Sequence, residues 1–359
     1  MIKKIRIWFK EFRKYFAKLI FDKKINPSAF LNISESKNIL FLKYDNKIGD
    51  MAVLSLVFRE FKRYYPQVRI LVLCGKDNKE IIKYNPYVDE IIEISGKFIK
   101  DFGIYKALKQ MTIDIAVDFF IFNPRPKHLF AIRTIAPKFL IGFHKQNYKM
   151  YDFSINCDVN ELHISKRYES LLKELGIKPS SLDYDIFLNP EDERKAKTLF
   201  KDGKNNLIIN PFAASKHRSF SFEKLQELIV KLKEKKDLNI YVICPKRYSN
   251  LLNGLYGAVL LDIDSILESA AFVKYCDYII SPDTSIVHIA AAFKKKMLAL
   301  FLDYSDFEEK ICKVWAPPDY EGAFKVCVDT KNGALENDIK NIDNSLIIEK
   351  FINLTLRVN

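Results

Sequence analysis

Residues 277–293 read Asp-Tyr-Ile-Ile-Ser-Pro-Asp-Thr-Ser-Ile-Val-His-Ile-Ala-Ala-Ala-Phe. An apolar strand, Tyr278 to Ile280, ends at Ser281-Pro282. Asp283, Thr284 and Ser285 then open a helix that carries His288 on its first turns. A strand that feeds straight into a helix N-terminus presents unpaired backbone N–H groups and the positive end of the helix dipole. That suits an anion, and a nucleotide diphosphate is one. Thr284 and Ser285 add hydroxyl donors, and His288 follows by about one turn, so all can meet one ligand. The plainer reading is an Asp or Thr N-cap with a packed histidine. The rest of the chain decides between them.

The same rhythm runs on both sides of this stretch. Strands are expected at 38–44, 69–74, 89–94 and 113–120, with helices at 51–64 and 77–84. Residues 140–190 look less regular and connect two halves. A helix at 192–200 precedes strands at 206–211, 239–245, 277–281 and 297–302, which alternate with helices at 222–235, 265–275 and 284–294. Such alternation predicts an α/β protein with two parallel sheets, each covered by helices on both faces. Ligands of these sheets sit beyond the strand C-termini, often in the cleft between two units.

Composition sets bounds. The 359 residues suffice for two cores, and 48% hydrophobic with 29% charged residues is ordinary globular composition. No apolar run spans a bilayer, and the N-terminus lacks a signal-peptide pattern. The six cysteines are scattered without C-x-x-C spacing, so reduced cytosolic thiols are expected rather than a disulfide framework or a zinc site. No histidine pair has metal-ligand spacing, so no protein-bound metal is expected.

The net charge of +13 is concentrated at the start. Residues 1–24 hold nine Lys/Arg against Glu11 and Asp22. Apolar and aromatic side chains recur there every three or four residues, which predicts a basic amphipathic helix. Lys3, Lys4, Arg6, Trp8, Phe9, Phe12 and Phe16 suit the headgroup layer of an anionic membrane. The alternative is a helix docked on the protein's own surface. No helix-turn-helix, zinc-finger or RNA-binding signature is present, so nucleic acid is not expected as a partner.

Polar groups cluster at two further strand ends. Lys43-Tyr-Asp-Asn-Lys-Ile-Gly-Asp50 places a carboxylate at a strand-to-helix turn, and Gly49 allows another molecule close to the backbone. Asp50 is either a general base for a sugar hydroxyl or an N-cap for a helix starting at Met51. Pro211 to Glu223 carries Ser215, Lys216, His217 and Arg218. Arg there offers bidentate contacts to a diphosphate and Lys a point charge; the bland reading is a solvated basic loop.

Together these segments resemble the ADP-heptose:lipopolysaccharide heptosyltransferases of glycosyltransferase family 9, from about Ile39 to Leu302. The matching residues are Lys43 with Gly49-Asp50, Tyr65-Pro66, Asn85-Pro86-Tyr87-Val88-Asp89-Glu90-Ile91, the loop from Pro211 to Glu223, and Pro282-Asp283-Thr284 with His288 and Ala290-Ala291. The resemblance implies a GT-B fold, with an acceptor-side Rossmann-like domain at 38–190, a donor-binding one at 191–359, and residues 1–37 as helix and linker. It implies an inverting, metal-independent transfer without a cofactor, from a nucleotide sugar, ADP-heptose favoured, to a lipid A–Kdo glycolipid. The place implied is the cytosolic face of the bacterial inner membrane, an anionic surface.

By the resemblance Asp50 is the base, with Lys43 and Gly49 on the acceptor side. Ser215, Lys216, Arg218, Asp283, Thr284, Ser285 and His288 are at the donor. The commoner family loop has Lys-x-Trp-Pro where this chain has Arg218-Ser-Phe220-Ser, so Arg218 or Lys216 takes the part of that lysine. Other readings are a family 9 transferase with another nucleotide sugar, a GT-B nucleotide-sugar epimerase, and a peripheral membrane-binding protein without turnover. A dinucleotide oxidoreductase is disfavoured because no strand is followed by G-x-G-x-x-G.

Overall fold

The computed structural model describes residues 2–29, 31–200, 205–304, 311–330 and 339–356, with backbone alone at 2–7, 10, 303–304, 328–330 and 340. The chain opens with helix α1 (Ile2–Phe21) and then strand β1 (Asn38–Lys43), helix α2 (Ile48–Tyr64), β2 (Arg69–Cys74) and α3 (Lys76–Ile81). It continues with β3 (Glu90–Glu93), α4 (Phe98–Gln110), β4 (Ile115–Asp118), α5 (Pro126–Ile135), β5 (Phe139–Phe143), β6 (Phe153–Ile155) and α6 (Ile164–Glu174). The second series is α7 (Pro190–Leu199), β7 (Asn206–Ile209), α8 (Phe222–Lys235), β8 (Asn239–Pro245), β9 (Val259–Ile263) and α9 (Ile266–Tyr275). It ends with β10 (Tyr278–Pro282), α10 (Ser285–Ala292), β11 (Lys296–Tyr304), α11 (Ile311–Trp315), β12 (Ala323–Thr330) and α12 (Asn344–Leu356).

The strands form two six-stranded sheets, ordered β3-β2-β1-β4-β5-β6 and β12-β11-β10-β7-β8-β9. Every pairing recorded in them is parallel. A parallel strand is covered on both faces and so reads as a continuous apolar run. In β1 everything after Asn38 is buried, and β2 is buried from Ile70 to Cys74. The strand order reverses between β1 and β4 in one sheet and between β10 and β7 in the other. A crevice opens at such a reversal because the flanking helices leave on opposite faces.

Residues 140–190 are not merely a connection. Strands β5 and β6 extend the first sheet, and α6 packs on α2. Gly142 weakens the strand pattern there. A Cβ on it would lie 2.6 Å from Tyr151 Cε1 and 2.7 Å from Lys145 Cγ, so glycine is what the packing admits. The cysteines also depart from expectation. Cys312 and Cys327 are paired as a disulfide with Cα atoms 6.2 Å apart, while Cys74, Cys157, Cys244 and Cys276 are free.

Helix α1 is partly docked. Ala17 is buried, Phe21 packs on Phe130 of α5 at 5.7 Å between ring centroids, and the Asp22 carboxylate accepts the Met150 N–H at 2.9 Å. Trp8, Phe9, Phe12 and Phe16 remain exposed. The side chains of Lys3, Lys4 and Arg6 lie outside the described residues.

The two sheets meet where α2 crosses α10. Gly49, in the first turn of α2, lies under His288 of α10. A Cβ there would sit 2.6 Å from His288 Cδ2 and 3.4 Å from the Ser285 Cα. The close approach that glycine permits is therefore made by the protein itself. His288 has little room to yield, being 4% exposed and flanked by Tyr184 and Trp315 with ring centroids at 6.3 and 6.0 Å. Gly49→Val should therefore destabilise the chain by about 1–3 kcal/mol as α2 and α10 are forced apart. A thermal melt would read this as a midpoint lowered by several degrees, and an unchanged midpoint would show that His288 can swing aside.

Candidate active site

Strand β1 ends on a lysine that the fold buries. The Lys43 ammonium is 4% exposed at residue level and must find charge partners. Its Nζ donates to Asp45 Oδ2 at 2.7 Å and to Asp50 Oδ2 at 3.0 Å. Burial alone would lower its pKa, yet the Asp50 and Asp45 carboxylates outweigh that and raise it above the ordinary lysine value. Burial would raise Asp45, but the Lys43 charge and hydrogen bond and the Lys47 N–H lower it overall.

Helix α2 starts at Ile48, three residues before Met51, with Lys47 at the N-cap. Asp50 is thus in the first turn and is not the cap. Its carboxylate turns back to Lys43 and keeps one face on the cleft, its side chain 16% exposed. Asn78 of α3 fixes the same turn by donating to the Asp45 carbonyl.

Across the cleft stand the ends of β7 and β10. Asn210, just past β7 and buried, donates to Ser281 Oγ and to Thr284 Oγ1, each at 3.0 Å. Thr284 is the N-cap of α10, its hydroxyl accepting the Ile286 N–H at 3.2 Å. The plain capping reading of Thr284 is therefore correct, and the cap holds α10 with Ser285 at its first position. Arg218 reaches over from the 3₁₀ turn Lys216–Arg218. It donates to Asp283 Oδ2 at 2.5 Å and to the Asp283 carbonyl at 3.2 Å.

A cavity of about 720 Å³ separates these groups. Gly49 and Asp50 line it from one side; Arg218, Asp283, Thr284, Ser285 and His288 line it from the other. Lys43 stands behind Asp50 and does not line it. Neither does Lys216, which is exposed, nor Ser215, whose Oγ accepts from Arg218 Nε at 3.4 Å. Of the two loop cations left open by the sequence, Arg218 is the one aimed inward. His288 is buried with Nδ1 unpartnered among the described residues, and burial lowers its pKa against the opposing pull of Asp283 and Asp50. A neutral imidazole can donate or accept here without adding charge.

Other residues of the wall carried a weaker sequence signal or none. Phe212 and Tyr248 pack with ring centroids 4.9 Å apart, beside Arg247 and Pro245. Arg247-Tyr248 lies one residue beyond the end of β8, a place where polar or aromatic groups serve ligands. Asn210 likewise follows β7. Trp315, on α11, sits far from any strand end in sequence and carried no signal.

The family described as Glycosyltransferase family 9 (heptosyltransferase) matches residues 130–309. The chain is 29% identical over 325 residues to the Escherichia coli (strain K12) protein named "Putative lipopolysaccharide heptosyltransferase 4", covering 88% of each. Among solved structures it is similar to a glycosyl transferase family 9 protein of Veillonella parvula DSM 2008, with TM-score 0.70 at 14% identity, covering 91% of this chain and 98% of that one. It is also similar to E. coli ADP-heptose lps heptosyltransferase II, with TM-score 0.68 at 14% identity, covering 89% of this chain and 98% of that one. These structures share its GT-B fold, which accounts for two facing sheets with a cavity between them. The matched segment is half of the chain and runs from α5 past the α10 cap, so this protein is a glycosyltransferase and belongs to family 9, the heptosyltransferase family.

Proposed function

We propose that the chain transfers a heptose from ADP-heptose to the Kdo or inner-core sugars of lipid A, in lipopolysaccharide or lipooligosaccharide synthesis. The observation that carries this reading is the single cavity in which Asp50 faces Arg218 and the N-terminus of α10. A base stands on one side and a diphosphate-binding surface on the other. The names of the E. coli relatives support the choice of sugar and acceptor. Residues 38–190 then hold the acceptor and residues 191–359 the donor.

In this reading the acceptor hydroxyl gives its proton to Asp50 as its oxygen bonds to the anomeric carbon. The bond to the diphosphate oxygen breaks on the opposite face, and configuration inverts. Arg218 and the positive end of the α10 dipole receive the charge that develops on the leaving nucleotide. Lys43 holds the Asp50 carboxylate in place. Asp283 orients the donor sugar, and the aromatic end formed by Phe212 and Tyr248 suits a flat nucleobase. Enclosure between the two sheets keeps water from competing as acceptor. With that acceptor, the enzyme works at the cytosolic face of the inner membrane in this reading, with the aromatic side of α1 against the lipid. None of the described helices is long and apolar enough to cross a membrane.

The test is a donor screen with lipid A–Kdo as acceptor, read by mass spectrometry. Transfer of a heptose from the ADP sugar is expected. Transfer only from a different nucleotide sugar would keep the family and overturn the substrate.

Asp50→Asn keeps the shape of the side chain and loses the proton acceptor. Turnover should fall on the order of 10²–10⁴-fold, with nucleotide affinity unchanged by isothermal titration. Near-normal turnover would remove Asp50 as the base.

The loop cations are expected to differ. Arg218→Ala should weaken binding of ADP by roughly tenfold or more, the usual weight of a charge-assisted contact. Lys216→Ala should change it less than about threefold, as for an exposed charge. The reverse order in a titration would place the diphosphate nearer Lys216.

A further inference from the structure

We infer that the membrane-facing surface of this enzyme is built from two helices, with the N-terminal half of α4 added to α1, and that its partner is an anionic lipid bilayer. The inference deepens the membrane reading of α1 and rests on it. Trp8 stacks on Phe12 at 5.2 Å between centroids, and Phe12 meets Phe16 at 4.7 Å. All three rings stay exposed although the end of the same helix is docked. On α4, Phe98, Ile99 and Phe102 are 48%, 86% and 37% exposed. One ring joins the two helices. Phe130 of α5 lies 5.7 Å from Phe21 of α1, 3.8 Å from Phe98 and 5.8 Å from Phe102.

Large apolar side chains left exposed together in this way mark an interaction surface. Its charge selects the partner. Between 97 and 110 the exposed charges are Lys97, Lys100, Lys106 and Lys109, whereas Asp101 is buried and accepts from the Ser95 N–H and hydroxyl. Residues 1–24 add nine basic residues against two acidic ones. Apolar rings rimmed by lysines of one sign match acyl chains below a layer of anionic headgroups. The Lys106 ammonium lies 4.7 Å over the centre of the Phe102 ring, a cation–π contact that places a positive charge directly beside the exposed aromatic surface.

The test uses vesicles of phosphatidylglycerol and phosphatidylethanolamine that contain no lipopolysaccharide, so it does not depend on the identity of donor or acceptor. Three proteins are compared by co-sedimentation: the full chain, Ile99→Asp, and the double variant Trp8→Ser with Phe12→Ser. The full chain should bind these vesicles and not phosphatidylcholine. Each variant should bind at least about tenfold more weakly, since each loses buried apolar area. Ile99 is almost fully exposed, so its replacement should leave the circular dichroism and the turnover on a soluble acceptor unchanged. Brominated acyl chains should quench Trp8 emission and spare Trp315 in the cleft.

If Ile99→Asp binds like the full chain while the α1 variant detaches, α4 is not part of the surface and α1 alone holds the membrane. If the full chain does not bind, both readings fall. A dimer in vesicle-free solution that Ile99→Asp disrupts would assign the patch to a second copy and overturn the lipid.

Discussion

The contact of Gly49 with His288 sets the geometry of the whole cleft. Two parallel sheets each offer a crevice where the strand order reverses, but a crevice alone is a wide and wet place. Bringing the first turn of α2 under α10 closes one upon the other. This needs a residue without a side chain at 49, since a Cβ would press into the imidazole. It also needs a histidine that stays put, which Tyr184 and Trp315 secure. From that contact follow the enclosure of the cavity, the burial that keeps His288 neutral, and the opposition of Asp50 to the α10 N-terminus.

A buried cation then organises the wall that carries Asp50. The Lys43 ammonium at the end of β1 is costly to bury unpaired. Two carboxylates meet the cost, and their positions are fixed by the short turn between β1 and α2. The second wall uses a similar pairing of Arg218 with Asp283, but with more solvent access, their side chains 30% and 15% exposed. The more buried pair resists rearrangement, whereas the more open one can exchange its carboxylate for another anion. That difference in burial suits the proposed roles, a fixed base on one side and an adaptable donor site on the other.

Much of this was legible in the sequence because it rests on local rules. The apolar runs of β1, β2, β7 and β10 are short and buried on both faces, so they stand out. The Asp283 to His288 stretch shows a strand end and a helix start within a few residues. Illegible features depended on packing between distant segments. Strand β5 contains Gly142 because Tyr151 and Lys145 fill its space, and strand β6 has only three residues. Helix α4 has apolar residues on more than one side, since part of it is left exposed, and so lacks a single apolar stripe. The pairing of Cys312 with Cys327 has no spacing rule to announce it. Arg218 could not be preferred to Lys216 until the turn between them had a direction.

Helix α5 ties the exposed aromatic surface proposed to face lipid to the wall that carries Asp50. Phe130 touches both α1 and α4. Two residues earlier, His128 is buried with its ring stacked on Tyr44, 4.3 Å between centroids and 9° from parallel. Tyr44 directly follows Lys43 at the end of β1, and Asp45 comes next. Two residues of helix rise only about 3 Å, so the aromatic surface and the turn that leads to Asp50 are held by one rigid element. An acceptor whose lipid stays in the bilayer can present only the sugars nearest its headgroup. On the proposed function, a base held at a fixed position relative to that surface is matched to such an acceptor. A long flexible tether in place of α1 would keep the enzyme at the membrane but would lose that fixed height.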